Sequence, residues 1–448
     1  MKIGFLALSG IRAHDPALLA LGLTLPGVLE RGKVVASLPS LGLLYLAAST
    51  PPGHDLRYYE TPADGKESPE LYDCDLVAIS TFTAQVNDAY AIADRLRSRG
   101  VKVAMGGLHV TIRAEEAAAH ADLVFLGEGE NSWPEAIRAL ERGGPIRQIW
   151  DAKDFPAVDV RLLPVPRYDL LRGRPYNRFT VQTSRGCPWR CDFCASNVML
   201  QRPYRKRPVE HVIRDLREVS RWFKRPFIEF ADDNTFVDKE WGKELCRAMI
   251  PLRLKWFTET DITVADDEEL LGLMRQARCR QVLIGLESPS PSGLDGLEMK
   301  TNFKLRRWSS NRDAIRRIQK HGITVNGCFI LGLDGHTPEI FEEVLEFTRE
   351  VPLYEVQITL LTPFPGTPLY DRLLREGRLL EPTRWELCTL FDVNFRPSQM
   401  TAKMLREGLY WLTEQLYSEE SILGRRRPFF EALWKESDSS LRLVSRRV

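Results

Sequence analysis

Short apolar runs alternate with amphipathic stretches through the first 145 residues of the chain. The apolar runs predict five strands, at Lys2–Leu8, Asp55–Tyr59, Leu76–Ser80, Val101–Gly106 and Leu123–Leu126. Apolar positions recurring at helical spacing predict helices at Leu41–Ser49, Val86–Ser98 and Trp133–Glu141. Such alternation is typical of a parallel sheet with helices on both faces, which binds ligands beyond the carboxyl ends of its strands. We therefore expect a doubly wound, Rossmann-like domain over residues 1–145.

A second alternation begins at residue 178, after a stretch without sustained periodicity. This stretch, residues 146–177, holds Pro156, Pro164, Pro166 and Pro175 and predicts a linker. The apolar runs beyond it predict six strands, at Arg178–Thr183, Phe227–Ala231, Leu254–Thr260, Gln281–Glu287, Thr324–Leu331 and Glu355–Leu360. Helical spacing predicts helices at Val209–Phe223, Lys239–Met249, Glu268–Ala277, Asp313–His321, Glu339–Glu350 and Leu369–Glu376. Residues 178–395 therefore predict a partial (β/α)6 barrel of the TIM type, with its chemistry at the carboxyl ends of the strands.

The final part of the chain, residues 396–448, predicts a helical extension. Helical spacing recurs at Ala402–Tyr417 and Pro428–Glu436, and arginines cluster at 425–427 and 446–447. The arginines leave two interpretations, contact with acidic lipid or a solvated basic surface. We favour the solvated surface, because few charges cluster. The whole chain is thus predicted to be an α/β protein of two domains with this extension.

Three cysteines, Cys187, Cys191 and Cys194, follow the first strand of the second alternation at the spacing C-x3-C-x2-C. Gly186 ends the strand pattern, so we expect the cysteines on a loop at a strand's carboxyl end. Thiolates hold iron–sulfur clusters, and three of them leave one iron of a cubane cluster open to a small molecule. The alternative is a structural zinc site, which requires four closed ligands. The nearest histidine, His211, is distant and lies in a helical pattern.

Composition narrows the class of protein. The 448 residues carry a net charge of +1, which argues against a general nucleic-acid partner. No apolar run reaches membrane-spanning length, and the first residues predict a strand rather than a signal peptide. The eight cysteines are scattered apart from the triplet, which is unlike a disulfide framework in a chain of this size. We therefore expect reduced thiols and a cytoplasmic location.

The strand ends of the first domain carry small and polar residues. Ser80 and Thr81 follow one strand, and Gly106 and Gly107 follow the next. Glycine permits close backbone approach of a ligand, and hydroxyl groups can bond a polar tail. No G-x-G-x-x-G pattern follows the first strand, so a dinucleotide site is only weakly supported.

The cysteine loop resembles the signature of the radical S-adenosylmethionine (SAM) enzymes, C-x3-C-x-aromatic-C, with Phe193 as the aromatic residue. The resemblance implies a [4Fe-4S] cluster on Cys187, Cys191 and Cys194. It also implies that SAM chelates the fourth iron through its methionine amine and carboxylate. A reducing partner such as flavodoxin or ferredoxin is implied as the source of electrons.

Acidic residues at a later strand end also fit SAM. Asp232, Asp233 and Asn234 resemble the D-D-N of cobalamin-type radical SAM proteins, and their carboxylates can accept from the methionine ammonium. The alternative is that the two aspartates cap the next helix.

Two further strand ends and the loop aromatic complete the candidate SAM site. Glu287 and Ser288 end the fourth strand and are expected to meet the ribose or amino-acid part of SAM. Leu331 and Gly332 resemble the backbone ledge under adenine, although a plain core strand explains them equally well. Phe193 joins this set from the cysteine loop.

The first domain resembles the cobalamin-binding domain found in front of many radical SAM enzymes. The resemblance rests on a P-x-L-G-L-x-Y-L-A helix start, on a G-G-L-H-V-T stretch and on a G-E-G-E stretch. It implies cobalamin contacts from Leu41, Gly42, Ser80, Thr81, Phe82, Gly106, Gly107, His109, Gly127, Glu128, Gly129 and Glu130. The D-x-H-x-x-G motif that gives cobalt a histidine is absent, so we expect no protein imidazole on cobalt. For His109 the alternative is a hydrogen-bonded loop histidine.

These resemblances lead to a cobalamin-dependent radical SAM enzyme that methylates an unactivated carbon. They imply reductive cleavage of SAM to a 5′-deoxyadenosyl radical, and a layout like that of hopanoid and other lipid C-methylases and of the anaerobic cyclase of chlorophyll synthesis. The second hypothesis is a radical cyclase, oxidase or rearrangement enzyme without methyl transfer. The third is a non-enzymatic iron–sulfur or cobalamin carrier, against which the candidate SAM site argues. We expect a small-molecule or lipid substrate, with peripheral membrane contact left open and nucleic acid excluded.

Overall fold

The computed structural model describes residues 1–8, 13–21, 38–61, 67–196, 203–351 and 353–444. The chain forms two compact units, each assembled from separate stretches of sequence. The first unit comprises Met1–Gly186, Phe193–Pro226 and Thr362–Asn394, and the second comprises Cys187–Asp192, Phe227–Leu361 and Phe395–Val448. The predicted domain boundaries remain predictions.

The first unit contains a sheet of six parallel strands in the order β2-β1-β3-β4-β5-β6. The strands are β1 Lys2–Leu8, β2 Asp55–Thr61, β3 Leu76–Ser80, β4 Lys102–Gly106, β5 Leu123–Leu126 and β6 Ile149–Asp151. Ser80 lies in register with Gly106, so β3 and β4 end at the same edge of the sheet. The five predicted strands are confirmed. Strand β6 was not predicted, because three residues are too few to show a period.

The same unit contains several α-helices. They are α1 Pro16–Ala20, α2 Leu41–Ser49, α3 Val86–Ser98, α4 Leu108–Ile112, α5 Ala114–His120, α6 Ser132–Arg142, α7 Val209–Trp222 and one later helix, Pro368–Arg375. Helices α1, α4 and α5 were not predicted, because each is too short to show a helical repeat. The same unit holds the short strand β7 Phe179–Val181 and an antiparallel pair, β8 Ser184–Arg185 with β9 Arg205–Lys206.

The second unit contains parallel strands that pair in their order along the chain. These strands are β10 Phe227–Phe230, β11 Lys255–Glu259, β12 Cys279–Glu287, β13 Thr324–Leu331 and β14 Glu355–Leu360. Its helices are Lys239–Met249, Glu268–Gln276, Pro291–Leu294, Phe303–Arg307, Asn311–Lys320, Ile340–Glu350, Ala402–Tyr417 and Glu419–Val444. The predicted alternation of strands and helices is confirmed, and the carboxyl ends of these strands share one edge.

The last helix of the extension differs from its prediction. Pro428 lies inside the single helix Glu419–Val444, whereas the sequence predicted a helix beginning at that residue. Proline is usually found in the first turn of a helix, because it lacks an N–H, but Pro428 lies in the interior of this helix.

The predicted solvated basic surface is wrong for two of its arginines. Arg425 is buried and donates to the Leu416 carbonyl at 2.7 Å, and Arg426 pairs with Glu355 at 3.2 Å. The arginines at 446–447 lie outside the described residues. No helix in the described ranges has the length and apolar character to span a membrane.

A buried ion pair organises the core of the first unit. The side chains of Arg207 and Asp215 are fully buried and lie 2.7 Å apart. Arg207 also donates to the Tyr45 hydroxyl at 3.0 Å and to the Gln182 carbonyl at 2.8 Å. Three segments that are distant in sequence therefore share one buried cation. Asp215 supplies its compensating charge, because an unpaired charge in a protein interior is strongly destabilising.

Replacing Asp215 with Ala should lower the free energy of unfolding by about 3–5 kcal/mol, because it leaves the Arg207 guanidinium uncompensated. Chemical denaturation of the apoprotein measures the loss. Asp159→Ala is the control, since Asp159 pairs with Arg161 at the exposed surface and should change stability little. An Asp215→Ala protein as stable as this control would contradict the role given to the buried pair.

Candidate functional site

The part of the cysteine loop that lies in the second unit, Cys187–Asp192, is held by the segment that follows β12. The Arg190 N–H donates to Glu298 Oε1 at 3.1 Å, and the Met299 N–H donates to the Arg190 carbonyl at 2.9 Å. The Asp192 N–H donates to the Leu297 carbonyl at 3.1 Å. The backbone on both sides of Cys191 is thus fixed by hydrogen bonds, and the loop has a defined shape in the described structure.

A tryptophan in the loop links it to the carboxyl edge of the strands. The Trp189 ring stacks on Phe303 with centroids 3.8 Å apart, and its Nε1 donates to Asp261 Oδ2 at 2.9 Å. The same carboxylate oxygen accepts from Asn234 Nδ2 at 2.8 Å. Burial opposes ionisation of Asp261, but hydrogen bonds from Thr263, Trp189 and Asn234 hold its pKa below the usual value. Asp261 therefore joins the cysteine loop to the loop that contains Asn234.

The three thiols have the chemistry that an iron–sulfur cluster requires. Cys187 and Cys194 are partly exposed, Cys191 is buried, and none of the three forms a disulfide. In the first unit, Cys194 Sγ lies 3.3 Å from the Ser196 hydroxyl. Among the described residues, no three His, Cys, Asp or Glu side chains are arranged as a metal site. The fit to a cluster therefore rests on three thiols that form no disulfide and stand at the required spacing.

The two adjacent aspartates at the end of β10 differ in their surroundings. Asp232 is buried and accepts from the Thr235 hydroxyl at 2.7 Å, whereas Asp233 is exposed. The following helix is capped by Asp238, which accepts from the Trp241 N–H at 3.0 Å. Neither Asp232 nor Asp233 is therefore that helix's N-cap, and the Asp233 carboxylate is the one presented at the surface.

Asn234, the third residue of this set, holds the loops together. It is 2% exposed, and its Oδ1 accepts from the Thr260 hydroxyl at 3.2 Å and from the Asp261 N–H at 3.3 Å. Its amide nitrogen already donates to Asp261. The amide thus connects the ends of β10 and β11, and we expect it to position ligand-binding residues rather than to contact a ligand.

The end of β12 carries a buried ion pair. Lys304 Nζ lies 2.9 Å from Glu287 Oε1 and donates to the Gly285 carbonyl at 2.5 Å. Glu287 has a φ of 64°, in the left-handed region that non-glycine residues seldom adopt. The strand is irregular at this point, since its register with β13 shifts between Gly285 and Glu287. Burial opposes the charge on Lys304, but Glu287 and Cys191 raise the pKa of the ammonium group.

The neighbouring predicted residues are engaged within the protein. Ser288 is buried, and its hydroxyl lies 3.0 Å from Nε2 of His336, whose pKa is lowered to about 4 by burial. Leu331 is fully buried, and a Cβ on Gly332 would lie 2.9 Å from both Leu405 and Phe395. The end of β13 is therefore closely packed against the helical extension. Phe193 lies in the first unit and is partly exposed.

The predicted cobalamin residues of the first unit gather around a cavity of about 150 Å³. It lies at the carboxyl edge of β3, β4 and β5, where a doubly wound sheet binds its ligand. The lining residues that the sequence predicted are Gly42, Ser80, Gly106, Gly107, Gly127, Glu128, Gly129 and Glu130. The lining residues that it did not predict are Leu43, Leu46, Ala78, Ile79, Ala104, Met105, Phe125, Trp133 and Arg185.

The glycines of this cavity differ in how much room a side chain would have. Gly107 has a φ of 112°, and a Cβ there would lie 2.7 Å from the Thr81 carbonyl. Its absent side chain therefore lets two loops of the protein approach each other. Gly42 is different, because a Cβ at that helical position would have no protein atom within 4 Å. A Cβ on Gly106 would be in ordinary contact with Phe125 at 3.6 Å.

Four predicted cobalamin residues, Leu41, Thr81, Phe82 and His109, do not line the cavity. His109 is fully buried, with Nε2 3.3 Å from Glu116 and its ring 5.0 Å from that of Trp385. These contacts agree with the hydrogen-bonded histidine that we gave as the alternative.

Among the lining residues that the sequence did not predict, Arg185 has the largest consequence for the cavity. Its guanidinium bonds Glu128 at 2.8 Å and Gln182 at 2.8 Å, and it also pairs with Glu130. Arg205 bonds the same Glu128 at 2.8 Å. Burial opposes the charge on Glu128, but the two arginines lower the pKa of its carboxyl group. The only signal in the sequence was the position of Arg185 two residues before Cys187.

Both halves of the chain match the sequence models of known families. The sequence model of the Radical SAM superfamily matches residues 181–348, that of the B12 binding domain matches residues 29–137, and that of a domain of unknown function matches residues 367–445. An uncharacterized methyltransferase of Synechocystis sp. is 30% identical over 402 residues, 87% of this chain and 72% of the relative. The hopanoid C-2 methylase of Rhodopseudomonas palustris is 28% identical over 402 residues, 88% of this chain and 73% of the relative.

The fold has a solved counterpart. The structure of TsrM, a radical SAM methyltransferase from Kitasatospora setae with cobalamin and a [4Fe-4S] cluster bound, matches with a TM-score of 0.65 at 15% identity. The match covers 92% of this chain and 89% of that chain. At this identity the likeness concerns the fold alone, and it confirms the predicted fold class.

Acidic neighbours surround Glu259, which ends β11 with a partly exposed side chain. The pKa of Glu259 is raised to about 8 by desolvation and by the charges of Glu229, Asp233 and Asp232. The folded state therefore keeps a proton on Glu259 that the unfolded state releases above its ordinary pKa of about 4.3. It follows that this group makes the folded protein less stable as pH rises from about 4.3 to about 8.

Replacing Glu259 with Gln should therefore stabilise the apoprotein, and increasingly so as pH rises through that window. The gain over the wild type is expected to grow by up to ~1.4 kcal/mol per pH unit. Chemical denaturation at several pH values from about 5 to about 8 measures it. Glu414→Gln, which removes one exposed carboxylate, is the control. A difference between Glu259→Gln and wild type that does not change with pH would contradict the raised pKa.

Proposed function

Because this chain belongs to the radical SAM superfamily and carries a cobalamin-binding domain before the radical SAM domain, we propose that it is a cobalamin-dependent C-methylase. Its cofactors are a [4Fe-4S] cluster, SAM and cobalamin. When bound, they supply the electron that cleaves SAM, the radical that activates an unactivated carbon, and the methyl group. The relatives named above are methyltransferases or methylases.

One observation carries the proposal most directly. The cavity of the first unit lies where a doubly wound sheet binds its ligand, in a chain that also has three thiols outside any disulfide at C-x3-C-x2-C spacing. A carrier protein for one cofactor has no need of the second site. The Asp233 carboxylate and the polar end of β12 add groups suited to a charged amino-acid moiety.

The described residues have distinct parts in this proposal. Cys187, Cys191 and Cys194 hold the cluster. Asp233 accepts hydrogen bonds from the methionine ammonium of SAM, while Asn234 positions the loop that carries it. Around the cavity, the glycine-rich strand ends provide space for cobalamin, with backbone N–H and carbonyl groups available to its amide side chains.

The substrate in this proposal is a small molecule, and electrons come from a protein such as flavodoxin or ferredoxin. We place the enzyme in the cytoplasm, because its cysteines carry no disulfide and its cluster chemistry requires a reducing compartment. A lipid substrate is compatible with the relationship to a hopanoid methylase. Mass analysis of lipid and metabolite extracts, after anaerobic incubation with SAM and cobalamin, identifies a product heavier by one methylene.

The cluster assignment predicts the effect of single cysteine replacements. Changing Cys187, Cys191 or Cys194 to Ala should each abolish the absorbance near roughly 400 nm of thiolate-bound clusters and the formation of 5′-deoxyadenosine. Cys246→Ala and Cys279→Ala are the controls, because both thiols are buried away from the loop and should leave both signals. A wild-type level of cluster in Cys191→Ala would exclude the proposed ligand set.

The cavity predicts that a substitution at Gly42 can block cobalamin binding without disturbing the fold. In Gly42→Leu the new side chain would extend into open space in the cavity, at a helical position where Leu is favourable. Uptake of hydroxocobalamin, measured by absorbance after gel filtration, should fall at least about tenfold with no loss of thermal stability. Gly272→Leu, at an open helical glycine of the second unit, should bind as the wild type does. Undiminished uptake by a folded Gly42→Leu protein would place cobalamin elsewhere.

A further inference from the structure

The Lys304–Glu287 ion pair adjoins the segment that holds the cysteine loop. The segment that fixes the loop backbone ends at Phe303, whose ring stacks on Trp189, and Lys304 is the next residue. Cys191 itself forms a backbone bridge with Glu298 of this segment. The Lys304 ammonium is therefore held on the element that contacts the loop, within the second unit.

Burial makes this charge pair electrostatically strong. The side chains of Lys304 and Glu287 are only 14% and 10% exposed, so water and salt screen them poorly. Gly285 accommodates them, since a Cβ there would lie 2.3 Å from Glu287 Oε1 and 3.1 Å from Lys304 Nζ. Glu287 reaches the pair from a left-handed backbone conformation. A strained residue, a strand irregularity and a glycine thus all serve one buried contact.

We propose that Lys304 and Glu287 set the reduction potential of the cluster held by the cysteine loop. The proposal rests on the proposed function, because it presumes the cluster. Reduction adds one negative charge to a centre that already has thiolate ligands, and a nearby buried cation favours the reduced form while a nearby anion opposes it. Lys304 and Glu287 therefore shift the reduction potential in opposite directions. Lys304 is a positioning and tuning residue and takes no part in bond making.

The opposite signs give a sharp test. Lys304→Gln should shift the cluster potential to a more negative value, and Glu287→Gln should shift it to a more positive one. At a fixed potential, the ratio of reduced to oxidised cluster should change by about tenfold in each direction, which corresponds to about 59 mV for one electron. The potential is measured without SAM, by anaerobic redox titration followed by electron paramagnetic resonance.

Two controls separate charge from structural disturbance. Lys300→Gln removes a cation from the same segment at an exposed position and should leave the potential unchanged. The double variant Lys304→Gln with Glu287→Gln keeps the site neutral and should return the potential close to the wild-type value. Lys304→Arg keeps the positive charge, so its cluster potential should stay close to the wild-type value.

The outcomes also distinguish this inference from the function on which it rests. If the wild-type protein assembles no iron–sulfur cluster, the proposed function fails. If the cluster assembles in every variant but the two single variants shift the potential equally or not at all, the function stands and the role of the ion pair is overturned. Shifts of opposite sign, with an unchanged Lys300→Gln protein, establish it.

Discussion

Parallel strand pairing is the constraint on which both candidate sites depend. Because neighbouring strands run in the same direction, their carboxyl ends meet at one edge, and the loops that follow them are brought together. In the first unit this edge gathers the loops after β3, β4 and β5 around the cavity, and the last two of these are rich in glycine. In the second it gathers the carboxylates after β10 and β11 and the ion pair after β12. The register of the sheet therefore decides which side chains meet, before any ligand contributes.

Residues placed directly at strand ends could be predicted from the sequence for this reason. The bounds of Leu76–Ser80 and Thr324–Leu331 are those that the apolar pattern predicts, since each run stops at a polar or glycine residue. The cysteine spacing likewise defines its candidate ligands by chemistry alone. Residues that approach a site from a distant part of the sequence could not be predicted in this way. Lys304 meets Glu287 across 17 positions and Arg185 meets Glu128 across 57, and these contacts depend on the path of the chain.

The sequence also could not separate residues that contact a ligand from those that hold its surroundings. Gly107 and Gly42 both suggested room for a cofactor, and both line the cavity, yet a Cβ on Gly107 would clash with the Thr81 carbonyl whereas one on Gly42 would enter open space. Asn234 looked like a binding residue, but its amide is occupied by neighbouring loops. The difference lies in distances of a few ångströms between side chains, which periodicity and residue type do not encode.

The pairing of Arg426 with Glu355 has a practical consequence for handling this protein. Glu355 begins β14, and its side chain is only 9% exposed. A shortened chain that stopped before the last helix would lack this cation and would expose the part of β14 that the helix contacts. The protein would then be expected to misfold or precipitate during purification. Shortening should spare at least residues 419–431, and affinity tags at that end belong after the helix.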